Sequence, residues 1–221
     1  MCSFAPPLRA EESGAGENGT TPAAAKRPKI QELLKLPAFT NSAGMVMVKL
    51  SENLWAGKFP VTQAEYQEVT NEDPSQFKGE QNPVDSVSWN DASRFCSLLN
   101  QREAKERMLA PGFYYSLPTQ VQWEQLMDSA DLTNAVTSVG ATRKGTAPVG
   151  SLGANRLGLH DMRGNVWAWC LDPQDKPYRV LRGGAWNVSL EINLRPEFRW
   201  YSNGPDDRKS SYGFRCIMQS R

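Results

Sequence analysis

Between residues 158 and 216 the chain reads GLHDMRGNVWAWCLDP, then RVLRGGAWN, then YGFRC, and nothing else in it restricts the fold so tightly. Trp167, Trp169, Trp186 and Trp200 lie among single and paired glycines and spaced arginines, with hardly any helical periodicity between them. Glycine permits tight turns and close backbone approach, while each tryptophan brings a large apolar ring and one N–H that needs an acceptor. That combination predicts a small, heavily looped β core, with the upstream chain as its support.

Residues 1–28 are rich in Ala, Gly, Pro, Ser and Thr without apolar periodicity, and read as a disordered tail or linker. Cys2 followed by this polar tract looks like the start of a mature bacterial lipoprotein whose signal has been replaced by Met1, which would anchor an exported chain. As encoded, the chain reads as cytoplasmic. Residues 29–43 form a lead-in, with IQELLKL as a short amphipathic helix and a turn at Asn41-Ser42. The domain itself is expected over 44–219. GMVMVKL alternates as a half-buried strand does, and LWAGKFPVT reads as a second strand. Thr62 and Glu65 make a capping box for a helix running to about Thr70, and Ser88 is an N-cap for a longer one over 89–107. The longer helix places Ala92, Phe95, Cys96 and Leu99 on one face, with Pro111-Gly112 as its break. FYYSLP reads as a strand. Thr119 and Gln122 cap a further helix that buries Trp123, Leu126 and Met127, and 128–155 has the character of loop.

Several function classes are excluded. Twenty-five basic residues against 24 acidic ones, with no long basic run, leave no electrostatic footprint for nucleic acid. No apolar stretch approaches the roughly 20 residues of a transmembrane helix. Cys96, Cys170 and Cys216 are scattered and form no CxxC pair, so they read as buried hydrophobes rather than as zinc ligands. A histidine cluster or His-paired nucleophile would have to be built around the single His160.

The blocks VTQAEY, NPVDSVSWNDASRFCSLLN, YSLPTQVQWEQL, GTAPVGS, NRLGLHDMRGNVWAWC, RVLRGGAWN and GFRC resemble, in order and spacing, the formylglycine-generating enzyme (sulfatase-modifying factor) superfamily over about residues 44–219. The resemblance implies an α+β, C-type lectin-like fold: a small antiparallel or mixed sheet, two main helices and much irregular loop. It also implies where chemistry would sit. The family's oxidases hold copper with two cysteines just beyond the RGG-aromatic motif, and the matching positions here are Val188 and Asn193, so no copper is expected. The iron-dependent sulfoxide synthases need a histidine-rich domain that one histidine cannot supply. The family's calcium loop, usually GNVWEW, has Ala168 in place of the glutamate, and Ala141 replaces an aspartate in the loop before GTAPV. Asn165 is the remaining side-chain candidate for a calcium ion.

The segment 187–211, framed by RGGAWN and GFRC, is thereby the candidate binding surface for a protein or glycan. Its candidate contact residues are Asn187, Ser189, Glu191, Asn193, Phe198, Trp200, Tyr201, Asn203, Asp207, Lys209 and Ser210. Arg195 and Arg199 are expected to brace the loop by pairing with carboxylates such as Asp206, and Trp186 and Phe214 to join the core. The same segment resembles the variable region of proteins diversified by retroelements. Against that resemblance stand Glu191, Glu197, Trp200 and Lys209, which substitution at the adenines of asparagine-type codons does not produce. The leading expectation is a non-catalytic binding module; the alternatives are a diversified receptor and an oxidoreductase of altered chemistry, for which Cys170 and Cys216 would have to meet.

Overall fold

The computed structural model describes residues 30–171, 176–202 and 204–220, so the tail at 1–28, Cys2 and Asn203 lie outside the described residues. After a single turn of helix, α1 (Ile30–Leu33), strands β1 (Ala38–Thr40), β2 (Val46–Ser51) and β3 (Leu54–Gly57) form an antiparallel meander. Helices α2 (Gln63–Thr70) and α3 (Trp89–Lys105) follow, then β4 (Phe113–Ser116) and α4 (Gln120–Met127). The long loop beyond α4 carries a 3₁₀ turn at Leu132–Asn134. The Trp/Gly region contributes β5 (Trp167–Trp169), β6 (Val180–Arg182), β7 (Trp200–Tyr201), β8 (Tyr212–Gly213) and β9 (Ile217–Ser220).

Two sheets result, in the orders β1-β2-β3-β9-β4 and β7-β6-β5-β8. The first is antiparallel throughout, with β9 inserted between β3 and β4, so the end of the domain is locked to its beginning. The second is mixed, because β5 and β8 pair in parallel. This is the α+β architecture expected.

All three N-caps anticipated from sequence are formed. Thr62, Ser88 and Thr119 each accept a hydrogen bond from the N3 backbone N–H, while the side-chain oxygens of Glu65, Asp91 and Gln122 accept one from the cap's own backbone N–H. Two boundaries differ from expectation. Helix α3 stops at Lys105, ahead of Pro111-Gly112, because Arg107 adopts a left-handed φ of 58° and the Met108 N–H closes back on the Glu103 carbonyl at 2.8 Å. LWAGKFPVT is strand only over Leu54–Gly57, since the Gly57 and Val61 amides turn to the Cys216 and Phe214 carbonyls.

The main core joins both sheets to α1, α2 and α3, while α4 packs Trp123, Leu126 and Met127 into a second cluster with Ala56, Leu159, Met162 and Ile217. Phe214 of the GFRC motif meets Phe95 edge-on at 5.2 Å, and Phe95 stacks on Tyr66 of α2 at 5.6 Å. Trp169 donates to the Val87 carbonyl at 2.9 Å and Trp89 to the Cys170 carbonyl at 2.8 Å, so the buried Trp169 and the half-buried Trp89 both have their N–H groups satisfied. Trp186 packs against this core from a half-buried position, its ring edge-on to Phe77. No helix among the described residues is long and apolar enough to cross a membrane.

Candidate functional site

The segment after RGGAWN is held from below by α4. Gln120 and Glu124 lie one turn apart, and the Glu124 carboxylate accepts from Arg182 at 2.8 Å and from Arg199 at 3.0 Å. Gln120 adds an acceptor to Arg199 at 2.8 Å. Arg182, which opens RGGAWN, is fully buried and also donates to the Pro196 carbonyl. The carboxylate bracing Arg199 is therefore Glu124 and not Asp206, which instead accepts from Asn90 at 2.8 Å. One carboxylate thus ties the buried arginine of the motif to Arg199 in the middle of the segment. The bonds from the two terminal nitrogens of Arg182 to Gln120, Glu124 and Pro196 offset the desolvation of this guanidinium, although its Nε has no partner among the described residues.

Between these braces the chain makes a 3₁₀ turn at Glu191–Leu194, seated by Leu194, which is buried against Gly184. On one side of the turn lies a cleft of about 290 Å³. Trp167, Trp200 and Tyr212 form its aromatic wall, with the Trp167 and Trp200 rings 6.0 Å apart and the Trp200 N–H donating to the Tyr212 hydroxyl at 2.8 Å. Asn187, Ser189, Asn193 and Ser211 provide amide and hydroxyl groups, Val188 and Leu190 apolar surface, and Lys209 the one charge in the lining. The Lys209 ammonium sits 5.3 Å from the Tyr212 ring, and its bond to the Tyr212 hydroxyl holds its pKa above the ordinary lysine value.

The structure therefore brings together Asn187, Ser189, Asn193, Trp200 and Lys209 of the predicted contact residues and leaves Glu191, Phe198, Tyr201, Asp207 and Ser210 out of the cleft lining, while Asn203 lies outside the described residues. Phe198 lies behind it, packed at 5.9 Å on Trp167. Tyr201 stands on the other face of β7, edge-on to Tyr178 at 5.0 Å. Ser210 gives its carbonyl to the Trp186 N–H, and Asp207 is half-buried beside Lys209. Glu191 lines a different cavity, of about 540 Å³, on the opposite side of the turn, with the loop at 132–143 as its outer wall. That loop carries no periodicity or motif, so sequence alone did not join it to the segment. Trp167 and Tyr212 were hidden for another reason: their motif positions read as core.

The metal groups that the fold implies find no fit here. Holding Cu(I) takes two soft sulfur donors, and Val188 and Asn193 offer an isopropyl group and a carboxamide. Asn165 is fully buried at a left-handed φ of 61°, and its carboxamide closes a two-way bond with the Ala147 peptide, accepting at 3.1 Å and donating at 3.0 Å. Its side-chain oxygen is thus spent on an N–H. Among the described residues no three His, Cys, Asp or Glu side chains converge on a point. His160 is a structural residue, bonded through Nδ1 to the Leu152 carbonyl at 2.8 Å and packed on Phe59. The thiols that meet are Cys96 and Cys216, 3.2 Å apart, in place of the Cys170 and Cys216 pair considered from sequence.

Residues 33–220 match the family described as sulfatase-modifying factor enzyme 1-like domain. The chain is 28% identical over 226 residues to the chaperone protein LppX of Paenibacillus barcinonensis, covering 72% of this chain and 79% of that one. It is 33% identical over 161 residues to the serine/threonine-protein kinase pkn1 of Chlamydia caviae, covering 61% of this chain but only 24% of the kinase. Among solved structures, Treponema denticola variable protein 1 superposes with a TM-score of 0.64 at 24% identity, over 75% of this chain and 84% of that one.

Proposed function

Since the chain belongs to the sulfatase-modifying factor enzyme 1-like family and places Val188 and Asn193 where that family's oxidases keep two cysteines, we propose that it is a non-catalytic binding module. Its ligand is a protein, engaged by the cleft and by the apolar surface around it. The observation that carries this reading is the distribution of exposed apolar side chains. Seven large ones are exposed among the described residues, and five of them, Val139, Leu190, Ile192, Trp200 and Tyr201, lie in or beside the 187–211 segment. Single exposed apolar residues are ordinary, whereas their concentration along one segment, with Leu190 and Trp200 beside the polar groups of one cleft, is the composition of a recognition surface. Trp200 and Leu190 are the expected anchors, because an aromatic ring over a cleft loses little conformational freedom on binding.

The match to a quarter of a kinase fits a recognition module that is attached to other chemistry. The likeness to a variable protein favours a second reading, in which the same surface is diversified within a population. Glu191, Glu197, Trp200 and Lys209 limit how far asparagine-codon diversification accounts for the segment.

The test is a binding screen of the full chain, its Trp200→Ala variant and its Leu190→Ala/Ile192→Ala variant on parallel protein and glycan arrays. Protein ligands bound by the parent and lost by about tenfold or more in either variant support the reading. Binding to glycans alone, or binding indifferent to both variants, contradicts it.

A further inference from the structure

The larger cavity, opposite the cleft, has a charge arrangement that the binding face does not need. Arg143 stands on one wall and Glu191 on the other, with Leu132, Val139 and Leu194 supplying aliphatic surface and Thr137 a hydroxyl. Arg143 is held in place before any ligand arrives. Its Nε donates to the Thr137 carbonyl at 3.0 Å, and its backbone N–H donates to Ser138 Oγ, which itself donates to the Trp186 carbonyl at 2.9 Å. With Nε committed, the two terminal guanidinium nitrogens remain as a planar fork, the geometry that grips a carboxylate with two parallel bonds. Among the described residues neither these nitrogens nor the Glu191 carboxylate has a hydrogen-bond or ion-pair partner. Arg163 feels the charge of Glu191, but less than it feels that of Asp131 and Glu197.

A cavity with an unpaired cation on one wall, an unpaired anion on another and aliphatic surface between them is complementary to a zwitterion with an apolar body. We infer that this cavity binds a zwitterionic small molecule of the α-amino acid or dipeptide class with an aliphatic side chain. The ligand's carboxylate is taken by the Arg143 fork, its ammonium by Glu191, and its side chain by Leu132, Val139 and Leu194. The volume of about 540 Å³ falls in the range of roughly 300–1,000 Å³ found for small-ligand sites. The site is separate from the aromatic cleft, since only the turn at 191–194 contributes to both.

The test is ligand-observed NMR or calorimetry on the full chain with four probes: leucine, leucyl-leucine, leucinamide, which lacks the carboxylate, and N-acetyl-leucine, which lacks the ammonium. Leucine or leucyl-leucine is expected to bind, the better of the two identifying the source, and each truncated analogue to bind about tenfold or more weakly. Arg143→Ala and Glu191→Gln, both at exposed positions, are expected to lose the same factor, while Trp200→Ala and Lys209→Ala leave it unchanged. The inference is overturned if the truncated analogues bind as well as the zwitterions, or if Arg143→Ala and Glu191→Gln bind like the parent. It is equally overturned if neither zwitterion binds at about 10 mM, where a site with a Kd near 1 mM would be filled. Unchanged behaviour of Trp200→Ala here, set beside its loss on the protein array, separates this inference from the reading of the cleft.

Discussion

The side chain of Leu194 fills the space that a Cβ on Gly184 would occupy. Gly184 has a φ of +81°, and a Cβ built there would overlap Leu194 Cδ2. The second glycine of RGGAWN is thus what allows the 3₁₀ turn to seat itself against β6, and the turn in turn divides the two cavities.

Gly184→Ala is therefore expected to destabilise the fold by about 1–3 kcal/mol, through overpacking and an unfavourable backbone conformation. Hydrogen exchange should quicken over residues 190–199 more than over α3. Urea unfolding gives the first quantity and exchange mass spectrometry the second.

Glu124 serves two arginines, one of them fully buried. Replacement by Gln removes the charge but retains one acceptor, and Glu124 is 40% exposed, so solvent moderates the loss. We expect a cost of about 1–2 kcal/mol in thermal unfolding, with Gln120→Ala costing less. If Glu124→Gln is neutral, α4 is not the brace of the loop.

The Cys96 and Cys216 sulfurs, 3.2 Å apart, tie the middle of α3 to the entrance of β9. A mild disulfide oxidant, taking two electrons, should close a bridge between them, detected as the loss of two hydrogen atoms in intact mass and two fewer thiols after denaturation. Closure across a loop of more than 100 residues is worth up to about 4–5 kcal/mol in the chain-entropy account. Burial pushes the Cys216 thiol well up, so the reaction should be slow at neutral pH and quicken as pH rises.

Asp161 is buried, accepting from the Gly150 N–H at 2.7 Å, and burial raises its pKa against the opposing pull of Arg215. The folded state then holds a proton that the unfolded chain has released. Its share of stability is complete below the unfolded carboxylate value, near about pH 4, and is lost as pH rises through the folded value. Asp161→Asn should flatten this decline. Unfolding free energies measured from acid to neutral pH in both proteins would show it, and parallel curves would count against it.

Much of the fold was legible in the sequence because local chemistry specifies it. Thr62, Ser88 and Thr119 announce their helices by side-chain acceptors placed three residues before a second acceptor that takes the cap's own N–H, and the Trp/Gly blocks identify the β core. The end of α3 was misplaced because Arg107, an ordinary residue by type, takes the left-handed position usually given to glycine. Asn187, Ser189, Asn193, Trp200 and Lys209 line one cleft, and the sequence groups them because they share one segment. Arg143 carries no such signal, since only the folded chain brings its loop into one cavity with Glu191, and the Glu124 brace is equally non-local.

The central claim is that this scaffold binds without oxidising. It is tested most directly by incubating the chain with Cu(I), oxygen and a Cys-x-Pro-x-Arg peptide, and following the peptide by mass spectrometry beside the Val188→Cys/Asn193→Cys variant. The account predicts an unchanged cysteine with the parent chain and copper retention only in the variant. Conversion of the peptide cysteine to formylglycine by the parent chain would contradict it.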